Sequence, residues 1–199
     1  MAARRTRVLL VLGAFAAGLA ILLGVVLAVI GRGGAPILPQ AAAVGGPFRL
    51  VDQDGRPISD EDLKGKPFLV FFGFTHCPDV CPTALFEVSE VLRRLGPDAD
   101  RTAALFVTVD PERDTPDKLK DYLASFDRHL RGVTGDPAAV AALAKAYRAY
   151  YKKVPLEAGG YTMDHTALVY LMDKNGRFVA PFSLRRTPEE AAADLRRHL

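Results

Sequence analysis

Apolar and polar positions follow three regimes along this chain. Val8 to Ile30 reads VLLVLGAFAAGLAILLGVVLAVI, 23 residues without a charge or a strongly polar side chain. That exceeds the roughly 20 apolar residues needed to cross a bilayer, and the roughly 7–15 of a cleavable signal. The next stretch, GRGGAPILPQAAAVGG, is rich in Gly, Ala and Pro, poor in charge, and reads as a flexible linker. From residue 47 onward, short apolar runs and helical stripes alternate with polar turns, as in one globular domain. The expected division is therefore a cytoplasmic tip and transmembrane anchor over 1–31, a linker over 32–46, and a globular domain over 47–199.

Within the domain, FRLVDQDGRPIS predicts a hairpin turning at Asp54-Gly55. PFLVFFGF, residues 67–74, is continuously apolar, the signature of a strand buried on both faces. PTALFEVSEVLRRLG, residues 82–96, places Leu85, Val88, Val91, Leu92 and Leu95 at helical spacing. RTAALFVTVD is a second buried strand. Thr115-Pro116 and Asp136-Pro137 each mark a helix start, the second helix running through YRAYY. TALVYLMDKNGRFVAPF predicts a hairpin at Asn175-Gly176, and Thr187 caps a last helix with acids in its first turn. The order strand, helix, strand, helix, helix, hairpin, helix is α/β. Two strands joined through a helix should be parallel, in a mixed sheet flanked by helices.

Charge adds an orientation. Residues 1–32 hold four arginines and no acid, and three of the arginines precede the apolar run. The positive-inside rule keeps that end in the cytoplasm and exports the rest. The alternative is a long signal peptide cut near QAAAVGG. The remaining 22 basic and 23 acidic residues nearly balance, so the net +3 reflects the anchor. No basic stripe with interleaved aromatics points to nucleic acid. Seven residues before the run are too few for a mitochondrial transit peptide as well. The expected location is a bacterial cytoplasmic membrane, with the domain in the periplasm.

The chemistry centres on GFTHCPDVCPTA, which holds Cys77 and Cys81, the only cysteines. They lie where strand 67–74 gives way to helix 82–96, and functional residues gather at the carboxyl ends of strands in such sheets. A helix start favours thiolate. Export places the pair in an oxidising compartment, so a disulfide, a metal site and an inert buried pair are all open. Asp79 lies inside the turn as a candidate supporting group. Of the four histidines, His198 should be solvated and His129 should sit at a helix end. His76 is better placed to cap or pack than to ligate. His165, before an apolar strand, is structural or a third ligand, with Asp164 able to fix its tautomer. Two thiolates and an imidazole suit copper better than a closed four-ligand zinc site.

FFGFTHCPDVCPTAL, VTVDPERDTPDKLK and YTMDHTALVYLMDKNGRF, in that order, resemble the SCO/SenC family of membrane-anchored copper proteins. The resemblance covers the layout of residues 47–190. It implies a thioredoxin-like fold and one copper ion, Cu(I) or Cu(II), bound by Cys77, Cys81 and His165. It also implies a role in assembling cytochrome c oxidase, by delivering copper to the binuclear centre of subunit II or by reducing that centre's cysteines. Other copper chaperones would then be partners. Such a protein is a metallochaperone rather than an enzyme with turnover. The rivals are a thiol–disulfide oxidoreductase cycling Cys77 and Cys81, and a redox or copper sensor. DPERDTP is either a strand end and capped helix start or a partner-contacting loop with Arg113 exposed.

Overall fold

The structure is a computed structural model that describes residues 2–31 and 44–199, with side chains at 10, 12–28 and 44–199. The linker expected at 32–46 lies outside the described residues except for 44–46. The chain divides into two compact units, Met1–Ala42 and Ala43–Leu199. In the first, α1 runs from Ala2 to Gly31. Among the described residues, no helix is long and apolar enough to cross a membrane. Large apolar residues of α1, Phe15 and Leu22 among them, are exposed.

The second unit is built on a seven-stranded mixed sheet. Its strands are β1 (Arg49–Asp52), β2 (Pro57–Ser59), β3 (Phe68–Gly73), β4 (Ala103–Thr108), β5 (Leu130–Thr134), β8 (Val169–Met172) and β9 (Phe178–Pro181). Their order across the sheet is β2-β1-β5-β4-β3-β8-β9. β3, β4 and β5 are parallel, while β8 runs antiparallel to β3. All six residues of β3 and all four of β8 are buried, which is why neither shows apolar–polar alternation. The remaining strands, β6 (Tyr151–Pro155) and β7 (Tyr161–His165), form a separate two-stranded ribbon.

Helices α2 (Val80–Leu95), α3 (Pro116–Leu123), α4 (Pro137–Ala146) and α5 (Pro188–Arg196) complete the unit. Their starts follow the sequence: Thr115 accepts from Lys118 N–H, Asp136 from Ala138 and Ala139, and Thr187 and Glu190 form a capping box. α2 and α5 pack together, and α3 lies on β5, where Leu119 and Leu123 crowd Gly132.

The two predicted hairpin turns share one construction. In DQDGR, Asp52 Oδ1 accepts from the N–H groups of Asp54 and Arg56, and Gly55 has φ +74°. In DKNGR, Asp173 Oδ1 accepts from Asn175 and Arg177, and Gly176 has φ +73°. An Asx turn followed by a left-handed glycine closes both.

One expectation is corrected and three strands are added. α4 ends at Ala146 rather than continuing through YRAYY. Arg148 takes the left-handed conformation, φ +54°, and Ala149 N–H returns to the Ala144 carbonyl at 2.8 Å. That closure normally uses glycine, so the sequence carries no stop signal. β5 was not expected, because LRGVT is short and contains Arg131 and Gly132. The ribbon lacks a sequence signal because β6 carries two lysines, Lys152 and Lys153, and neither strand shows clear apolar alternation.

Candidate metal centre

Three elements deliver the site. β3 ends at Gly73, the chain turns, and Cys77 sits in that turn. Its N–H donates to the Phe74 carbonyl at 3.3 Å. α2 begins at Val80, two residues earlier than the apolar spacing indicates, so Cys81 is its second residue. His165 is the last residue of β7, from the ribbon rather than from the strand that follows it. The ligand atoms of Cys77, Cys81 and His165 all lie within 4.8 Å of one another. Metal–sulfur bonds of about 2.3 Å and metal–nitrogen bonds of about 2.0 Å around one ion separate ligand atoms by roughly 3.5–4 Å. The trio therefore fits a single ion.

Each ligand sits in a different environment. Cys81 is 0% exposed, packed on Gly73 and Phe106. Cys77 is half-buried, and both thiols are free. The N–H of Cys81 points at Cys77 Sγ, 3.4 Å away, and helps satisfy any negative charge that sulfur carries. A helix start was expected to favour thiolate. At Cys81 burial outweighs that effect and pushes the thiol well up.

His165 lies 3.3 Å from Cys81 Sγ through Nε2, while Nδ1 lies 3.2 Å from the Thr166 carbonyl. A carbonyl only accepts, so Nδ1 carries the proton and Nε2 presents its lone pair to the sulfurs. Burial lowers the His165 pKa against the opposing pull of the Thr166 and Phe72 carbonyls and the Asp164 charge. The ring is thus neutral and ready to ligate. Phe71 and Phe74 stand edge-on to it at 6.1 and 5.7 Å.

The supporting residues differ from those proposed. Asp164 alternates away from His165 along β7 and is exposed; the tautomer is fixed by the Thr166 carbonyl. Asp79 is exposed at the start of α2, where its carboxylate accepts from Thr83 Oγ1 at 3.5 Å rather than touching a cysteine. His76 stays outside the trio, with Nδ1 3.1 Å from Thr75 Oγ1. His129 lies in the loop before β5, between Asp127 and Asp100 at 2.6 and 3.0 Å.

Asp114, which the sequence offered only as part of a turn, is fully buried. Its carboxylate accepts from Thr75 N and Thr75 Oγ1 at 3.0 and 2.6 Å, and from Thr108 Oγ1 at 2.6 Å. It ties the cysteine turn to the end of β4. Arg113 is also largely buried, with its side chain 25% exposed, so the partner-contact reading of DPERDTP loses its exposed arginine.

The SCO1/SenC family model matches residues 38–199. The chain belongs to the SCO1/SenC family. A SCO2-like protein of Rickettsia felis is 36% identical over 149 residues, covering 74% of this chain and 73% of that protein. The mitochondrial SCO2 homologue of Bos taurus is 39% identical over 165 residues, covering 81% of this chain. The chain spans 62% of that bovine protein and 42% of the Arabidopsis thaliana SCO1 homologue 1. Among solved structures, copper-bound ScoI of Bradyrhizobium japonicum is 66% identical with a TM-score of 0.77, covering 79% of this chain and 100% of that one. Copper-bound yeast Sco1 is 34% identical with a TM-score of 0.72, covering 78% and 88%. These likenesses establish the thioredoxin-like architecture.

Proposed function

We propose that this SCO1/SenC protein is a copper metallochaperone. In this reading it delivers copper to the binuclear centre of cytochrome c oxidase subunit II, or helps that centre mature, and receives copper from other chaperones. One observation carries it: a buried thiol, a half-buried thiol and a neutral imidazole converge on one point. The copper held by the Bradyrhizobium and yeast relatives supports it, as does the description of the Sco family as cytochrome c oxidase assembly proteins. Residues 8–30 would span a bacterial cytoplasmic membrane and place the domain in the periplasm. The unbroken apolar run and the arginines before it support that placement.

Copper is cargo here, and the chain's residues set its capture and release. Cys81 forms the shielded floor. Cys77 and His165, both half-buried, form the accessible rim, and a partner's ligand would approach from that side. Each thiol loses a proton on binding and regains one on release. The raised pKa of Cys81 favours that return and opposes irreversible retention.

Titrating the reduced protein with Cu(I) tests the proposal. The expected result is one ion per chain, with affinity falling more than about tenfold in His165→Ala, the loss that even an outer partner's removal can reach. Equal affinity in the variant refutes the ligand set.

The N–H pointed at Cys77 Sγ also favours a second reading, a thiol–disulfide oxidoreductase. There the Cys77 thiolate attacks a partner disulfide, and Cys81 resolves the mixed disulfide. The partner leaves as a dithiol, its two electrons and two protons supplied by oxidation of the Cys77 and Cys81 thiols to a disulfide. Exchange activity that survives His165→Ala but not Cys77→Ser supports this reading.

A further inference from the structure

The third ligand is carried by the part of the domain that lies outside the main sheet. β6 and β7 pair only with each other, so no ladder of the seven-stranded sheet fixes His165. At the His165 end, Thr166 N–H donates to the Tyr150 carbonyl and Tyr150 N–H to Thr166 Oγ1, both at 2.9 Å. At the other end of β7 stands Tyr161, held from several directions. Its hydroxyl donates to Asp110 Oδ1 at 2.9 Å, and its carbonyl accepts from Arg113 Nη1 at 3.0 Å. Its ring lies 3.8 Å from the Arg113 guanidinium carbon and 4.2 Å from Lys153 Nζ. Arg113 Nε donates to Asp110 Oδ2, which closes a ring of contacts.

This cluster is tied to the metal centre and to the core. Asp110 is buried, and its N–H donates to Thr108 Oγ1 at 2.9 Å, on the strand beside β3. The Arg113 guanidinium faces the Phe74 ring at 6.0 Å, and Phe74 stands edge-on to His165 at 5.7 Å. Arg113 Nη2 is buried without a hydrogen-bond partner, so the guanidinium's other contacts hold it there against that cost. A bare strand-end turn requires none of this.

We propose that Asp110, Arg113 and Tyr161 are positioning residues that set the distance of His165 from the two sulfurs and thereby the copper affinity. The proposal rests on the three-ligand reading above. Metal sites tolerate ligand displacements of only about 0.2 Å, and a ribbon free of the main sheet would drift further.

The test uses the full-length chain in detergent, reduced, in competition for Cu(I) with a chromophoric chelator. Tyr161→Phe removes only the hydroxyl, and Arg113→Lys keeps charge but loses the planar fork. Each is made with His165 present and in a His165→Ala background. The expected result is about a tenfold loss of affinity in each variant, as for outer partners of metal ligands. That loss should shrink below about twofold once His165 is gone, because the cluster acts only through the imidazole. Weaker imidazole nitrogen coupling in the spin-resonance spectrum of the Cu(II) form should accompany it. Equal losses in both backgrounds, or none in either, overturn the positioning role while leaving the ligand set standing. If His165→Ala itself changes nothing, the ligand set fails and the positioning role falls with it.

Discussion

Gly73→Ala should damage the metal centre without touching a ligand. Gly73 closes β3, and its role is spatial. A Cβ there would stand 2.6 Å from Phe106 Cε2 and 2.8 Å from Cys81 Sγ. Ordinary contacts of this kind are roughly 3.5 Å or longer, so sulfur or methyl must give by about 0.7 Å. Neither neighbour can retreat, since Phe106 and Cys81 are both 0% exposed. The methyl must therefore push the sulfur out of place or spread β3 from α2. Overpacking costs about 1–3 kcal/mol, and at roughly 2–4 °C per kcal/mol the melting temperature falls by several degrees. Copper is more sensitive, because a displacement near 0.7 Å is several times the about 0.2 Å that a metal site tolerates. The expected Cu(I) affinity loss is at least about tenfold, out of proportion to a variant that is still fully folded at 25 °C.

Calorimetry and chelator competition on the same preparation separate the two effects. Adding Cys81→Ala removes the sulfur contact and should restore part of the lost stability, leaving the Phe106 contact as the remainder. A Gly73→Ala protein that binds Cu(I) like wild type refutes the claim that this glycine seats the sulfur.

Other outcomes follow from the same geometry. Asp114→Ala leaves Thr75 and Thr108 without their acceptor; it should cost about 2–4 kcal/mol in chemical denaturation and weaken copper binding by loosening the turn before Cys77. Because burial keeps Cys81 protonated at neutral pH, Cu(I) binding should release at least one proton, and apparent affinity should fall at least about tenfold per pH unit lowered, read by indicator dye and competition. The metal-free domain should lose stability above about pH 9. Burial raises Cys81, Tyr122 and Tyr147 above ordinary values of 9.0, 10.0 and 10.0, so the unfolded chain sheds protons first as pH rises, and stability is full only below that range. Thr187→Ala breaks the α5 capping box and should cost about 1 kcal/mol with copper binding unchanged, a control remote from the centre.

The sequence made legible whatever is encoded by short-range pattern. Continuous apolar runs marked β3 and β4, Asp-Gly and Asn-Gly marked the two hairpins, and the N-cap residues Thr115, Asp136 and Thr187 marked three helix starts. The cysteine pair is a local signal, but His165 lies 84 residues beyond Cys81, and only the family resemblance joined it to the pair in the sequence. What escaped was held by tertiary contacts. Nothing in LRGVT separates a strand from a loop until β4 and β1 flank it. Nothing in YYKKVP announces a strand until β7 pairs with it. Asp164 sits beside His165 in the chain, but strand alternation turns the two side chains apart and gives the ring proton to a carbonyl. Asp114 reads as one more turn acid, yet its two oxygens unite the cysteine turn and β4. Gly73 left one faint signal, a glycine ending a run of large apolar residues, where a close approach is the usual reason.

Under the metallochaperone reading proposed above, the three residues differ in how firmly they are held. Rigid elements hold Cys81, which occupies the second position of α2 beneath the sheet's end and cannot move without opening the core. Cys77 lies in a turn tied to the core at Phe74 and, through Thr75, at Asp114. His165 lies on a ribbon that depends on the Tyr161 cluster at one end and on Thr166 at the other. Burial is thus greatest at Cys81, while Cys77 and His165 are both half-buried. A site with three equally rigid, equally buried ligands would bind copper more tightly but would oblige a partner to open the core to remove it. In that reading an incoming ligand would meet the half-buried Cys77 and His165 before Cys81, so transfer would begin with the sheet and α2 undisturbed.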